Sequence, residues 1–306
     1  MKPWLTLLLL IFTHWAHAET WHFGLIGDLP YNERQRAELP LMLQEINDSR
    51  VSFIAHIGDI KNGRDRCDDP LYQDRLTVFM RSAAPLIYVP GDNDWTDCSR
   101  ASNGAYDPLE RLGKLRDVFW KDSFSLGIRK IRLERQTGSY VEHSRFTLGP
   151  VLFVTLNLPG GDNHFGLTQT PSPEFQARNP QVLAWAKAAF AHARQENLAG
   201  IAFLFQANPA FKHYSKGFGH RGYLEFLDML RQETQAFRGQ VLVVHGDTHK
   251  HQIDHPLRDD QGKKLANFTR VETFGYPETG WVKGTIDSNS PTLFHFEAKR
   301  WTAATQ

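Results

Sequence analysis

The stretch Pro85–Cys98, PLIYVPGDNDWTDC, decides how the rest of the chain is read. Leu86-Ile87-Tyr88-Val89 is a short apolar run, expected to be a buried strand. Pro90-Gly91 ends it, and Asp92, Asn93 and Asp94 follow at once. Strand, glycine turn, carboxylate is how a parallel α/β sheet delivers ligands to the carboxyl ends of its strands. The construction recurs. Trp21–Ile26 runs into Gly27-Asp28, Val51–Ile57 into Gly58-Asp59, and Val241–His245 into Gly246-Asp247, followed by Thr248 and His249. Composition alone would give about one or two Gly-Asp pairs. Five occur, and four of them close apolar runs.

The first residues stand apart from this pattern. One positive charge at Lys2, an apolar core from Leu5 to Phe12 and the small-x-small site Ala16-His17-Ala18 read as a secretory signal peptide over residues 1–18. The remainder, 19–306, is expected to be one exported domain, periplasmic or secreted, with no membrane association once the leader is removed. Lys and Arg number 35 against 34 Asp and Glu, with no basic stripe, which argues against nucleic acid as a bulk partner. The sequence does not fix the oligomeric state. The two cysteines, Cys67 and Cys98, are expected to pair in an oxidising compartment. Each follows a Gly-Asp turn, so a bridge between them would tie two of these loops together.

Along the chain, Glu33–Asp48 has helical periodicity interrupted by Pro40, which is expected to start or kink the helix. A second helix from about Pro70 to Arg81 makes the order β-α-β-α-β, with parallel right-handed crossovers. Asp107-Pro108 caps a third helix. Ile131–Arg135, Ser139–His143 and Val151–Leu158 then read as an antiparallel meander. Pro159–Pro173 is a long Gly/Asn/Thr/Pro-rich loop carrying Asp162, Asn163 and His164, and a loop of this kind after a buried strand points to function. Helices over Glu174–Asn197 and Gly222–Phe237 flank the strand Gly200–Phe205, and Gln252–Phe296 alternates short strands with turns.

Four carboxylates on one sheet edge carry a chemical implication. Two like charges at about 4 Å repel by about 4 kcal/mol at an effective dielectric of about 20. Asp28, Asp59, Asp92 and Asp247 would not all stay ionised without compensation, and bound divalent cations supply it. His249 could add an imidazole ligand, and Asn93, Gln206 or Asn208 an amide oxygen. Such a site can polarise a phosphoryl group and lower the pKa of a bound water. His56, inside an apolar run, reads as a core histidine, and Asp94 and Trp95 as residues that shape their turn.

This series resembles the calcineurin-like metallophosphoesterase superfamily over nearly the whole mature chain. The family's Asp-x-His corresponds to Asp28-Leu29-Pro30, its Gly-Asp to Gly58-Asp59, and its Gly-Asn-His-Asp/Glu to Gly91-Asp92-Asn93-Asp94. Its isolated His falls at Gln206 or Asn208, and its Gly-His-x-His at Gly246-Asp247-Thr248-His249. The motifs GDxPY, GDIK, PGDNDW and HGDTH are similar to those of a divergent group of exported bacterial proteins. The resemblance implies an α/β fold, a four-layer α-β-β-α sandwich of two mixed sheets with the metal site at the strand ends. It also implies two divalent metal ions. Asp28, Asp59 and His249 would hold the first; Asp59, Asp92, Gln206 or Asn208, and Asp247 would hold the second. Carboxylates and amides in place of imidazoles favour Mg, Mn or Ca over Zn or Fe.

Pro30 stands where the family has a metal-binding His, a place Tyr31 could serve. Asn93 stands where the family's proton-donating His acts on the leaving group. Asn93 cannot be a general acid, so protonation falls to His251, His56, His164 or water. Tyr31, Asn163 and His164 are the candidate substrate contacts. The expected function is metal-dependent hydrolysis of a small phosphomonoester or phosphodiester by activated water. The alternative is a non-catalytic metal- or phosphate-binding protein on the same scaffold, and a third reading gives the metal a purely structural role.

Overall fold

A computed structural model of the chain describes residues 19–302. The signal peptide expected at 1–18 lies outside the described residues. Two mixed sheets face each other, with helices on both outer surfaces. The strands are β1 (Thr20–Ile26), β2 (Phe53–His56), β3 (Leu86–Tyr88), β4 (Glu134–Arg135), β5 (Ser144–Leu148), β6 (Val151–Thr155), β7 (Gly200–Leu204), β8 (Gln240–His245), β9 (Gln252–Asp254), β10 (Phe268–Glu272), β11 (Gly280–Asp287) and β12 (Phe294–Arg300). One sheet runs β12-β11-β1-β2-β3, the other β4-β5-β6-β7-β8-β10-β9. β1, β2 and β3 are parallel, as are β6, β7, β8 and β10. Antiparallel strands close three of the four edges, and the fourth is β3, parallel to β2.

The layers follow from side-chain alternation on each strand. Phe23 and Leu25 on β1, Phe53 and Ala55 on β2, and Phe153 on β6 point inward and form the core between the sheets, with Phe23 and Phe53 stacked at 5.5 Å. Ile26 and Ile54 face outward onto α1 (Glu33–Asp48), α2 (Asp69–Met80) and α3 (Pro108–Phe119). On the second sheet, Ile201 and Phe203 pack against the helices Pro173–Gln195 and Arg221–Ala236. The helix starts are fixed locally. Asn32 caps the Gln35 N–H, Asp107 those of Leu109 and Glu110, and Ser172 that of Phe175.

Two sequence expectations give way. Helix α1 starts at Glu33, where the Asn32 side chain caps it, and not at Pro40, which lies inside it on the solvent face. In the meander, residues 139–143 form a turn, and the strand is Ser144–Leu148. The Thr155 hydroxyl accepts the Ser144 N–H and donates to the Glu142 carbonyl, which sets that start.

Candidate functional site

The carboxyl ends of five parallel strands meet along one edge. β1 leads to Asp28, β2 to Asp59, β3 to Asp92, β8 to Asp247 and β7 to Gln206, so both sheets contribute. Asp28, Asp59, Asp247 and His249 have left-handed backbones with φ of 51°, 57°, 79° and 58°. Non-glycine residues accept this strain mainly where function or a tight network requires it.

Hydrogen bonds show how closely the loops approach. The Asp247 N–H donates to Asp28 Oδ1 at 3.0 Å and the Asn208 N–H to Asp247 Oδ2 at 2.8 Å. The Asn93 N–H reaches both Asp59 Oδ1 and Asp92 Oδ1, at 3.1 and 3.0 Å. Gln206, from the second sheet, donates its Nε2 to Asp59 Oδ2 at 3.2 Å and Asp92 Oδ1 at 3.1 Å. Glycine is required around this cluster. A Cβ on Gly91 would lie 2.1 Å from Asp59 Oδ1, and one on Gly246 would lie 2.2 Å from Asp28 Oδ2. A Cβ on Gly160 would meet Asp92 Oδ2 at 2.6 Å and Asp247 Oδ1 at 2.8 Å.

The electrostatics follow from burial and crowding. Burial, then the Asp247 charge, pushes Asp28 well above the usual carboxylate range. Asp59 is raised in the same way by burial and then by Asp92. Burial raises Asp92, and Asp247 is pushed up to about 7 by burial and then by Asp92. Among the described residues, no Lys or Arg lies within ion-pair distance of any of these four acids, although the Arg100 charge acts on Asp92 from farther away. His249 donates its Nδ1 proton to the Tyr276 carbonyl at 2.8 Å. That leaves its Nε2 lone pair facing Asp28 Oδ1 at 3.7 Å, the tautomer a metal-binding imidazole uses.

Hard donors, carboxyls held above their usual pKa range and a bare imidazole nitrogen fit a divalent cation. Among the described residues, however, no three acid, thiol or imidazole side chains already stand in the spacing of a closed metal shell. Asp59 Oδ2 instead accepts from the Tyr31 hydroxyl at 2.9 Å, Asn93 Nδ2 at 2.9 Å and Gln206 Nε2.

The remaining expected site residues divide. Tyr31 and Asn93 are at the cluster, joined to each other at 3.1 Å. The oxygen expected from Gln206 accepts the Gly160 N–H at 2.6 Å, and that of Asn208 the Ala210 N–H at 3.0 Å, so both amide oxygens are turned to backbone donors. Asn163 is buried between Arg178 and the Gly222 carbonyl, and His164 bonds Glu174 at 3.0 Å. Both hold the 159–173 loop. His251 donates to the Glu272 carbonyl at 2.8 Å, stacks on Phe274 and makes no hydrogen bond to the four acids. His56 is a core histidine bonded to the Leu29 carbonyl.

Two features were invisible in the sequence. Asp94 accepts from the Asp59, Ile60 and Gly91 N–H groups and the Tyr88 hydroxyl, all at 2.8–2.9 Å, which locks the second and third Gly-Asp turns together. The loop over the site contains a left-handed turn: Gly161, Asp162, Asn163 and His164 all have φ between 54° and 61°. The Cys67–Cys98 disulfide is present and links the loops after β2 and β3.

The same architecture occurs in known structures. A dimetal phosphatase from Danio rerio superposes with a TM-score of 0.56 at 13% identity, over 92% of this chain and 99% of that one. The purple acid phosphatase PPD1 from yellow lupin (Lupinus luteus) gives 0.53 at 9%, over 92% of this chain and 52% of that one. GAP50, described as the anchor in the inner membrane complex of Plasmodium, gives 0.52 at 12%, over 94% and 90%. No family model and no curated sequence matches the chain. The chain has the fold of the dimetal phosphatases.

Proposed function

We propose that this protein is an exported, divalent-metal-dependent phosphoesterase acting on a small phosphomonoester or phosphodiester. The observation that carries the reading is the convergence of Asp28, Asp59, Asp92 and Asp247 from two sheets, the first two buried and the others partly so, with no Lys or Arg among the described residues within ion-pair distance. Asp28, Asp59 and His249 would hold one metal; Asp59, Asp92 and Asp247 would hold a second. Mg, Mn or Ca suits this donor set better than Zn or Fe. When bound, such ions supply Lewis acidity toward the phosphoryl oxygens and a nucleophilic water.

The chain's own residues do the positioning. Asn93 and Tyr31 donate to Asp59 Oδ2 and so orient that carboxylate beside the proposed metal positions. Asn93 has no titratable proton, so the leaving group draws its proton from His251 or from solvent. Of Tyr31, Asn163 and His164, Tyr31 is the one bonded to the acid cluster, which supports it as the substrate contact.

A non-catalytic binding protein is the second reading, favoured by the three donors that already satisfy Asp59 Oδ2. One experiment separates the two. Purified protein is titrated with Mg, Mn and Ca by calorimetry and assayed with generic phosphomonoester and phosphodiester substrates, beside Asp59→Asn. Stoichiometric binding with hydrolysis lost in Asp59→Asn supports the enzyme. Metal binding with equal background hydrolysis in both proteins supports the binding protein, and no metal binding refutes both.

A further inference from the structure

A cavity of about 550 Å³ opens beside the acid cluster and shares Asp247, Thr248 and Asn208 with it. Its other wall carries the opposite charge. Lys212, His213, His220 and Lys250 line that wall over a floor of Phe211 and Tyr223, both buried. Arg270 also reaches the cavity, but its guanidinium is held by two 2.7 Å bonds to Asp254. Asp162 is engaged too, accepting the Gly222 N–H at 2.8 Å.

Lys212 and Lys250 differ from the paired lysines elsewhere, such as Lys114 on Asp69 and Lys299 on Glu297. Among the described residues, neither has a carboxylate within ion-pair distance, although the backbone beneath each is fixed. Asn208 Oδ1 accepts the Ala210 N–H and starts the short helix Phe211–Tyr214 that carries Lys212. The Lys250 N–H donates to Glu272 Oε1 at 3.1 Å. Two exposed lysines without a carboxylate partner, each on hydrogen-bonded backbone, thus line a cavity whose far side belongs to the acid cluster.

We propose that this cavity is a subsite for a second anionic group, carboxylate or phosphate, on a substrate whose phosphoryl group lies at the acid cluster. The proposal rests on the phosphoesterase reading. Charge is its physical basis: the acidic side repels an anion, and the basic wall offers it a place one cavity-width away. The apolar floor takes the carbon frame between the two groups. Substrates carrying one negative group at each end therefore outcompete those with a neutral leaving group.

The test compares phosphoglycolate, as the carboxylate arm, and 1,3-propanediol bisphosphate, as the phosphate arm, with phenyl phosphate. Wild type and the double variant Lys212→Gln/Lys250→Gln are assayed. In wild type, kcat/KM favours one or both of the probes that carry an anionic group at each end. In the double variant that ratio falls about tenfold, about threefold for each partly exposed charge contact, and wild-type selectivity shrinks as salt is raised. A preference in one arm identifies the group. A wild-type ratio near one, or a ratio that the double variant leaves within twofold, overturns the subsite while hydrolysis stands. If nothing is hydrolysed, the phosphoesterase reading falls. Calorimetry with methylenebisphosphonate against methylphosphonate still decides the cavity: weaker bisphosphonate binding in the double variant supports an anion site, and equal binding refutes it.

Discussion

Asp247 offers the sharpest check on the charge argument, through stability in chelator. Its carboxyl rises from 3.8 to about 7, first by burial and then by Asp92. The unfolded chain releases this proton near pH 4, whereas the folded chain retains it to about 7. Between those values the folded state binds more protons, so Asp247 lowers stability as pH rises. At about 1.4 kcal/mol per unit, the full span is about 4 kcal/mol. Absolute melting curves hide this, because His56, His143 and His245 act oppositely. Burial depresses them to about 4, 4 and 3, so the unfolded state binds their protons, and they raise stability as pH climbs toward 6.5. The readout is therefore the difference between Asp247→Asn and wild type, in EDTA, across pH 4.5 to 8. Asn keeps an oxygen for the Asn208 N–H, so little else changes. The variant's advantage should grow from about 1 kcal/mol at pH 4.5 to about 4 kcal/mol at pH 8, the latter on the order of 10 °C in Tm for a chain of this size. Mn should then narrow the gap, by about 2.7 kcal/mol at 100 times its Kd and by about 4.1 kcal/mol, enough to close it, at about 1,000 times. A difference that stays flat with pH, or an Mn response equal in both proteins, would refute the proposal that buried, uncompensated acids make this site.

Three further outcomes follow from the same geometry. Asp94→Ala strands the Asp59, Ile60 and Gly91 N–H groups and should cost about 4 kcal/mol in urea unfolding, at about 1–3 kcal/mol per buried unpaired donor; a loss under 1 kcal/mol would show that the hub is not structural. Removing the Cys67–Cys98 bridge frees a loop of 31 residues and should cost about 3–4 kcal/mol on the chain-entropy account, read as the Cm shift of the double Ser variant. Gly222→Ala would set a Cβ 2.1 Å from the Asp162 carbonyl oxygen, so it should destabilise by about 1–3 kcal/mol and loosen the left-handed turn, which hydrogen exchange at Asn163 and His164 would report.

How much of this was legible in the sequence depends on the range of the interaction. The parallel core was readable because Gly27-Asp28, Gly58-Asp59 and Gly91-Asp92 each follow a strand, and β1, β2 and β3 do lie side by side. The Cys67–Cys98 pairing was readable for the same reason, since their loops extend from neighbouring strands. Asp94 reads as a turn residue and does bind Gly91 and Tyr88 within its own turn, but Asp59 and Ile60 reach it only after β2 and β3 pair, which no local pattern marks. Asn163 and His164 looked like ligands because they are polar residues on a long loop. Arg178, fifteen residues later on a helix, captures Asn163, and Glu174 takes His164. The same logic separates the amides from the acids. Residue type marks Gln206 as a donor of either an oxygen or an N–H. Only the Gly160 N–H, delivered by a loop from a different strand, decides that the NH₂ group faces Asp59 and Asp92. The acids declare themselves locally because their cost is charge, and charge is written in residue type. The amides acquire their direction from partners that only the fold supplies.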